Sequence, residues 1–128
     1  VLSLAGMFYN LNKYIEQLKV DIDDSTEEAR KKLLDKVIED TDEFVPYKTG
    51  KLSKNVVANT TTNEVIYQEE YASYAFNPIA PSGVPKQYNH EVHPNAQGYP
   101  MQKSIAEHEE DWLELFRKEV ENELQRKR

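Results

Sequence analysis

The chain has 128 residues, 30% of them charged, a formal net charge of −7 and no cysteine. That length suits one domain spanning residues 1–128, and the missing thiols exclude disulfides, thiol catalysis and cysteine-based zinc sites. The acidic balance leaves no row of Lys and Arg of the kind that displaces counterions from a nucleic-acid backbone, so sequence-specific nucleic-acid binding is not expected.

Leu, Ile, Val and Phe together make up 30 of the 128 residues, enough for a core but a thin one. With a mean hydropathy of −0.80, such a domain leaves much of its surface wet and gains stability from subunit contacts. No apolar run approaches the ~18 residues of a membrane span. The opening segment, Val1 to Phe8, lacks the basic start of a signal peptide. Residues 1–7 are read as a flexible lead-in, and synthesis is expected in the cytoplasm. The one basic cluster, Arg126, Lys127 and Arg128, follows an acidic helix, where cations complement the helix dipole.

Residues 8–44 read as helix. Leu11, Ile15, Leu18, Ile22, Ala29, Leu33, Val37 and Phe44 recur at steps that keep one face in phase. Asp21 to Ser25 is a weak point, and Ser25 with Glu28 resembles a capping box. The preserved phase favours one long helix, kinked there, and Thr26 to Asp42 is its most regular part. Pro46 ends it, and Gly50 is expected to supply a turn conformation.

Residues 53–76 form the β region. Segments 53–59 and 63–68, carrying Val56, Val57, Val65, Ile66 and Tyr67, are read as a hairpin closed by Asn59 to Asn63. Residues 71–76 fit either a strand or a helical turn. Residues 77–100 hold five of the six prolines and are read as a long irregular loop, with room for a short strand at Gln87 to His93. A helix over 101–125 closes the chain, opened by Pro100. Its inner stripe is Ile105, Trp112, Phe116, Val120 and Leu124. The fold class is therefore α+β: a long N-terminal helix, a small antiparallel sheet with a hairpin, a Pro-rich loop, and a C-terminal helix packed on the sheet. Leu33, Val37, Trp112 and Phe116 are taken as core.

Little in the sequence points to chemistry. His90 and His93 lie two apart, and His108 sits on the last helix; zinc needs three or four converging ligands, and HEVH lacks zincin spacing. The segment Lys48, Thr49, Gly50, Lys51 misses the phosphate-loop frame. No carboxylate pair stands out among 23 Asp and Glu. No catalytic site, metal or cofactor is expected. The aromatics say more. Tyr67, Tyr71, Tyr74, Phe76, Tyr88 and Tyr99 fall between the hairpin and the last helix. Tyrosine suits interfaces, offering area and a polar tip at low entropy cost. Stacking on single-stranded nucleic acid would need a basic groove, and residues 51–100 hold only three Lys. Ile79, Val84, Tyr88, Val92 and Tyr99 are too apolar for a loop meant only for water and form the candidate assembly interface.

The order of motifs carries a resemblance. A helix runs into V-P-x-x-T-G-x-L, here Val45, Pro46, Thr49, Gly50 and Leu52. After the hairpin come Tyr71, Ala72 and Tyr74, then His93, Pro94 and Ala96, then His108 to Trp112 on an acidic helix. Over about residues 10–120 the chain resembles the minor capsid and neck proteins of long-tailed bacteriophages and prophages, those that join head to tail or complete the tail. The region before the closing helix departs from that pattern at Tyr99, Met101 and Ser104, and Ala75 to Pro78 departs from it after the Tyr-Ala segment. The resemblance implies a structural subunit of the virion that forms a homo-oligomeric ring and contacts neighbouring head and tail proteins. Two other classes fit the composition: a protein-interaction module of adaptor or immunity type, and a small hydrolase or nuclease, which would need converged carboxylates or histidines.

Overall fold

A computed structural model describes residues 7–17, 24–47 and 49–126. The expected flexible lead-in lies outside them except for Met7, and so do Leu18, Ile22, Lys48 and the end of the basic tail.

The single helix expected over 8–44 does not form. Its start is a strand, β1 (Met7–Asn10), and a short helix, α1 (Asn12–Glu16). The corner between them is built by Asn10, whose Oδ1 accepts the Asn12 N–H at 2.8 Å. Such a short polar side chain turns the backbone by satisfying it locally. Leu11 and Ile15 are both buried, so the four-residue step placed them correctly although a strand precedes them.

A 3₁₀ turn (Asp24–Thr26) leads into α2 (Glu27–Thr41), and another (Asp42–Phe44) follows it. This matches the most regular part of the expected helix. Ala29, Leu33, Leu34 and Val37 form its buried face. The start of α2 is capped from far along the chain. The N–H groups of Glu28 and Ala29 donate to the Glu123 carboxylate at 3.1 and 2.8 Å. A buried anion there satisfies free amides and meets the positive end of the helix dipole.

The hairpin region starts later than expected. Lys51–Lys54 is a helical turn, α3, and the strands are β2 (Val56–Asn59) and β3 (Glu64–Tyr67). Asn59 Oδ1 accepts the N–H groups of Thr61 and Thr62, and Asn63 takes a left-handed φ of 57°, which Asn tolerates better than most residues. The sheet order is β1-β3-β2, all antiparallel, with Tyr67 opposite both Met7 and Val56. Buried Arg30 locks this end. It donates to Thr60 O, to Asn63 Oδ1 (3.0 Å) and to Thr26 Oγ1 (3.3 Å), while Asn63 Nδ2 donates to Asn12 Oδ1 at 2.7 Å.

Residues 71–76 resolve as helix, α4 (Ala72–Phe76). The following segment is irregular, and Gln87 to His93 is not a strand; Pro85 and Pro94 bracket it, and its His90 and His93 side chains bond backbone carbonyls of Ala96 and Val45. The closing helix, α5 (Pro100–Arg126), is one residue longer at each end than expected. It packs mainly on α2 and runs antiparallel to it, as the pairs Ser104–Thr41, Trp112–Asp40, Glu119–Lys32 and Glu123–Ala29 show. The two helices share one core with the sheet. Leu33, Val37, Trp112 and Phe116 sit in it beside Val65 and Tyr67.

Candidate docking groove

The backbone leaving α2 builds the site. Val45 and Leu52 are buried and pin the two ends of the turn. Between them Gly50 adopts φ +83°, and a Cβ there would fall 2.8 Å from Tyr47 Oη. Glycine is therefore required twice, by conformation and by the Tyr47 ring lying across it. Pro46, Tyr47, Thr49, Gly50 and Leu52 form one wall of a groove of about 510 Å³. Tyr71, just before α4, with Tyr74 and Ala75 of that helix, forms the second wall. Gln87, Tyr88 and Asn89, returning from the loop, form the third. Among the described residues none of those lining the groove is charged, in a chain that is 30% charged.

The histidines hold this arrangement together. His93 Nδ1 lies 2.8 Å from Val45 O; a carbonyl only accepts, so Nδ1 carries the proton. The ring packs edge-on against Tyr47 at 4.9 Å, and its Nε2 faces Asp42 at 3.5 Å. His90 Nε2 makes the same kind of contact with Ala96 O at 3.0 Å. Gln97 N–H donates to Phe44 O, and Asn95 to Glu43. His90 and His93 thus each bind a carbonyl: His90 folds the loop on itself, and His93 staples it to the turn. His108 lies on α5, stacked on Trp112 at 6.1 Å. Among the described residues no three His, Asp or Glu converge as a metal site would need, and no helix is long and apolar enough to cross a membrane.

The loop itself carries a compact projection. Ala80 to Gly83 closes a turn through Gly83 N–H to Ala80 O at 2.8 Å, with Pro81 second and Gly83 at φ +85°. Proline at that position stiffens such a turn, and glycine supplies the left-handed conformation at its close. Ile79 pairs with Pro85, and Lys86 N–H reaches Pro78 O at 2.8 Å. The base is anchored to the groove wall. Lys86 Nζ sits 3.4 Å above the Tyr74 ring and bonds Tyr74 O. Tyr88 Oη donates towards Ala75 O and Asn77 O.

Of the five candidate interface residues, Tyr88 alone lines the groove. Ile79 and Val84 flank the projecting turn, and Val92 and Tyr99 lie further along the loop. All four are exposed; Val84 reaches 60%. Pro46, Thr49, Gly50 and Leu52 come together with Tyr71 and Tyr74, segments that are separate in sequence, while Val45 is buried in the core. Sequence reasoning missed Tyr47, Ala75, Gln87 and Asn89. Tyr47 was open to discovery, as an aromatic two residues before Thr49–Gly50.

With this geometry in view, the family assignment follows. A family model described as minor capsid protein matches residues 11–120, so the chain belongs to the minor capsid protein family and is a structural protein of the phage virion. No curated protein and no solved structure matched the chain.

Proposed function

We propose that this minor capsid protein is a neck subunit, joining the phage head to the tail as one member of a ring built from copies of itself and in contact with neighbouring head and tail proteins. The observation that carries this reading is the grouping of exposed apolar residues. Tyr71, Tyr74, Ile79, Val84, Val92 and Tyr99 are exposed and lie at the start of α4, on it or on the loop that leaves it. Apolar surface gathered this way on a charged protein marks a place where another chain sits.

The rest of the surface suits such a station. The exposed face of α5 carries Glu107, Glu110, Asp111, Glu114 and Glu121. Acidic surface repels duplex DNA and lets it pass without adhering. A thin core favours a subunit stabilised by its neighbours through heterologous contacts, which close into a ring when the rotation suits.

Imaging particles that carry a tagged copy of the chain tests the station. Density at the head–tail junction, and untailed filled heads when the gene is removed, are the expected results. A tag distributed over the capsid shell would overturn the neck assignment. Deleting residues 79–92 is expected to abolish incorporation into particles. Because Tyr88 belongs to the groove wall, replacing Ala80–Val84 with a short Gly-Ser link is the cleaner form. It should leave the unfolding temperature nearly unchanged.

A further inference from the structure

We infer that the aromatic groove between the Pro46–Gly50 turn and α4 receives the projecting turn, Ile79 to Pro85, of a second copy of this chain. The inference rests on the proposal that the protein assembles with copies of itself, and names the two surfaces that meet.

Charge selects the occupant. Each copy carries a net charge of −7, so two copies approach with least repulsion through uncharged surface. Asn77 to Pro85 is nine residues without a charge. The described residues lining the groove are uncharged too, and the Lys86 ammonium beside them is engaged by the ring and carbonyl of Tyr74 in its own chain. The chemistry also matches: a Pro-containing, pre-shaped segment against tyrosines is a recurrent mode of recognition, because the ligand loses little entropy on docking. Here the turn is already closed by its own hydrogen bonds.

A chain does not fill its own groove. The base of the projection is fixed to Tyr74 through Lys86, and a Cβ built on Gly83 would meet nothing within 4 Å. The turn therefore stands away from its own chain. Its area sets the strength. One such turn covers less than the ~800 Å² per partner of a stable complex. Single contacts are weak, and association becomes firm only where each subunit gives its turn to one neighbour and receives another, as in a closed ring.

The absence of cysteine makes the test direct, since every disulfide formed is an introduced one. Thr49→Cys places a thiol at the groove and Ser82→Cys one on the turn, both at exposed positions. Glu121→Cys, exposed on α5, is the control. Circular dichroism and thermal unfolding first establish that each variant folds. Mixed at high concentration and oxidised, T49C and S82C should give a 1:1 disulfide-linked pair in several-fold excess over the S82C–E121C control pair. The double variant should give a ladder of covalent oligomers. No excess over the control overturns the inference. So does a T49C cross-link to a different virion protein in assembled particles, which would give the groove another occupant. If rings are seen by electron microscopy without the T49C–S82C pair, the ring reading stands and this docking falls. If the pair forms but the double variant stops at a doubly linked dimer, the docking stands and the ring falls.

Discussion

Tyr67 is 1% exposed and lies at the centre of the core, edge-on to both Tyr9 and Phe76. Its hydroxyl finds no hydrogen-bond partner among the described residues. A buried unpaired hydroxyl costs about 1–3 kcal/mol, so Tyr67→Phe is expected to raise stability by about 1 kcal/mol in urea unfolding. Burial, then the nearby Tyr9 and Asp42, push the Tyr67 phenol above the usual tyrosine range, and burial does the same to Tyr9. In the unfolded chain both titrate near 10. Above that pH the unfolded state has lost protons that the folded state keeps, so it binds fewer protons and stability falls as pH rises. Below it the contribution is present in full. Unfolding followed against pH should therefore show a loss of stability setting in near 10, less steep in Tyr67→Phe than in the parent. Tyr99 is a second residue under constraint. It holds φ +53° just before α5, with its N–H on Phe76 O and its side chain half exposed. A left-handed non-glycine residue stores about 1 kcal/mol or more. Tyr99→Gly should relieve that strain and leave the melting temperature unchanged or higher, despite the lost ring.

Among the elements, the α2–α5 pair carries most of the fold. Trp112 and Phe116 are almost wholly buried between them, and Trp112 Nε1 donates to Asp40 at 2.7 Å. Truncating either aromatic to Ala is expected to cost about 3–5 kcal/mol. The polar contact inside that interface, Thr41 Oγ1 to Ser104 Oγ at 2.8 Å, behaves differently. Ser104→Ala leaves a buried hydroxyl short of its partner and should cost about 1–2 kcal/mol, whereas Thr41→Val with Ser104→Ala together should cost less than the single change. A double-mutant cycle reads that difference. α2 and α5 were legible because their apolar stripes run unbroken for several turns and prolines mark where each ends or begins. The strand β1 was not. Four residues carry too little periodicity, and their pairing partner, Glu64–Tyr67, lies far along the chain. The two apolar positions beyond it, Leu11 and Ile15, stayed in phase with α2 and disguised the corner at Asn10. The cap on α2 was hidden for a similar reason. Glu123 is 94 residues from Ala29, and no local pattern announces such a pairing.

For the whole molecule, the groove was partly legible. The turn motif, the Tyr-Ala segment and the apolar loop positions were each visible as residue types. That the first two face one another required the fold. Tyr47 and Tyr88 become groove walls only once His93 has fastened the loop to Val45. Gly50 links this surface to stability. A Cβ there collides with Tyr47 and forces a left-handed side-chain residue. Gly50→Ala should lower stability by about 1 kcal/mol or more and displace the Tyr47 wall, so that incorporation into particles falls further than the stability loss alone requires. Comparison with Ser104→Ala, which loses a similar amount of stability outside the groove, separates the two effects.

The cap on α2 has a consequence in time. The amides at the start of that helix, and the apolar face that follows them, are completed by residues of the last helix. A ribosome adding roughly 5–20 residues per second leaves an interval of about 5–20 s between the making of Ala29 and the making of Glu123. Throughout that interval the first half of the chain has no way to close. Nascent chains halted before residue 112 should remain sensitive to protease, and those halted well after Glu123 has left the exit tunnel should resist it. The chain thus acquires its groove and its projecting turn in usable form only after synthesis of the last helix; on the proposed self-assembly, half-made copies would not join one another on a polysome.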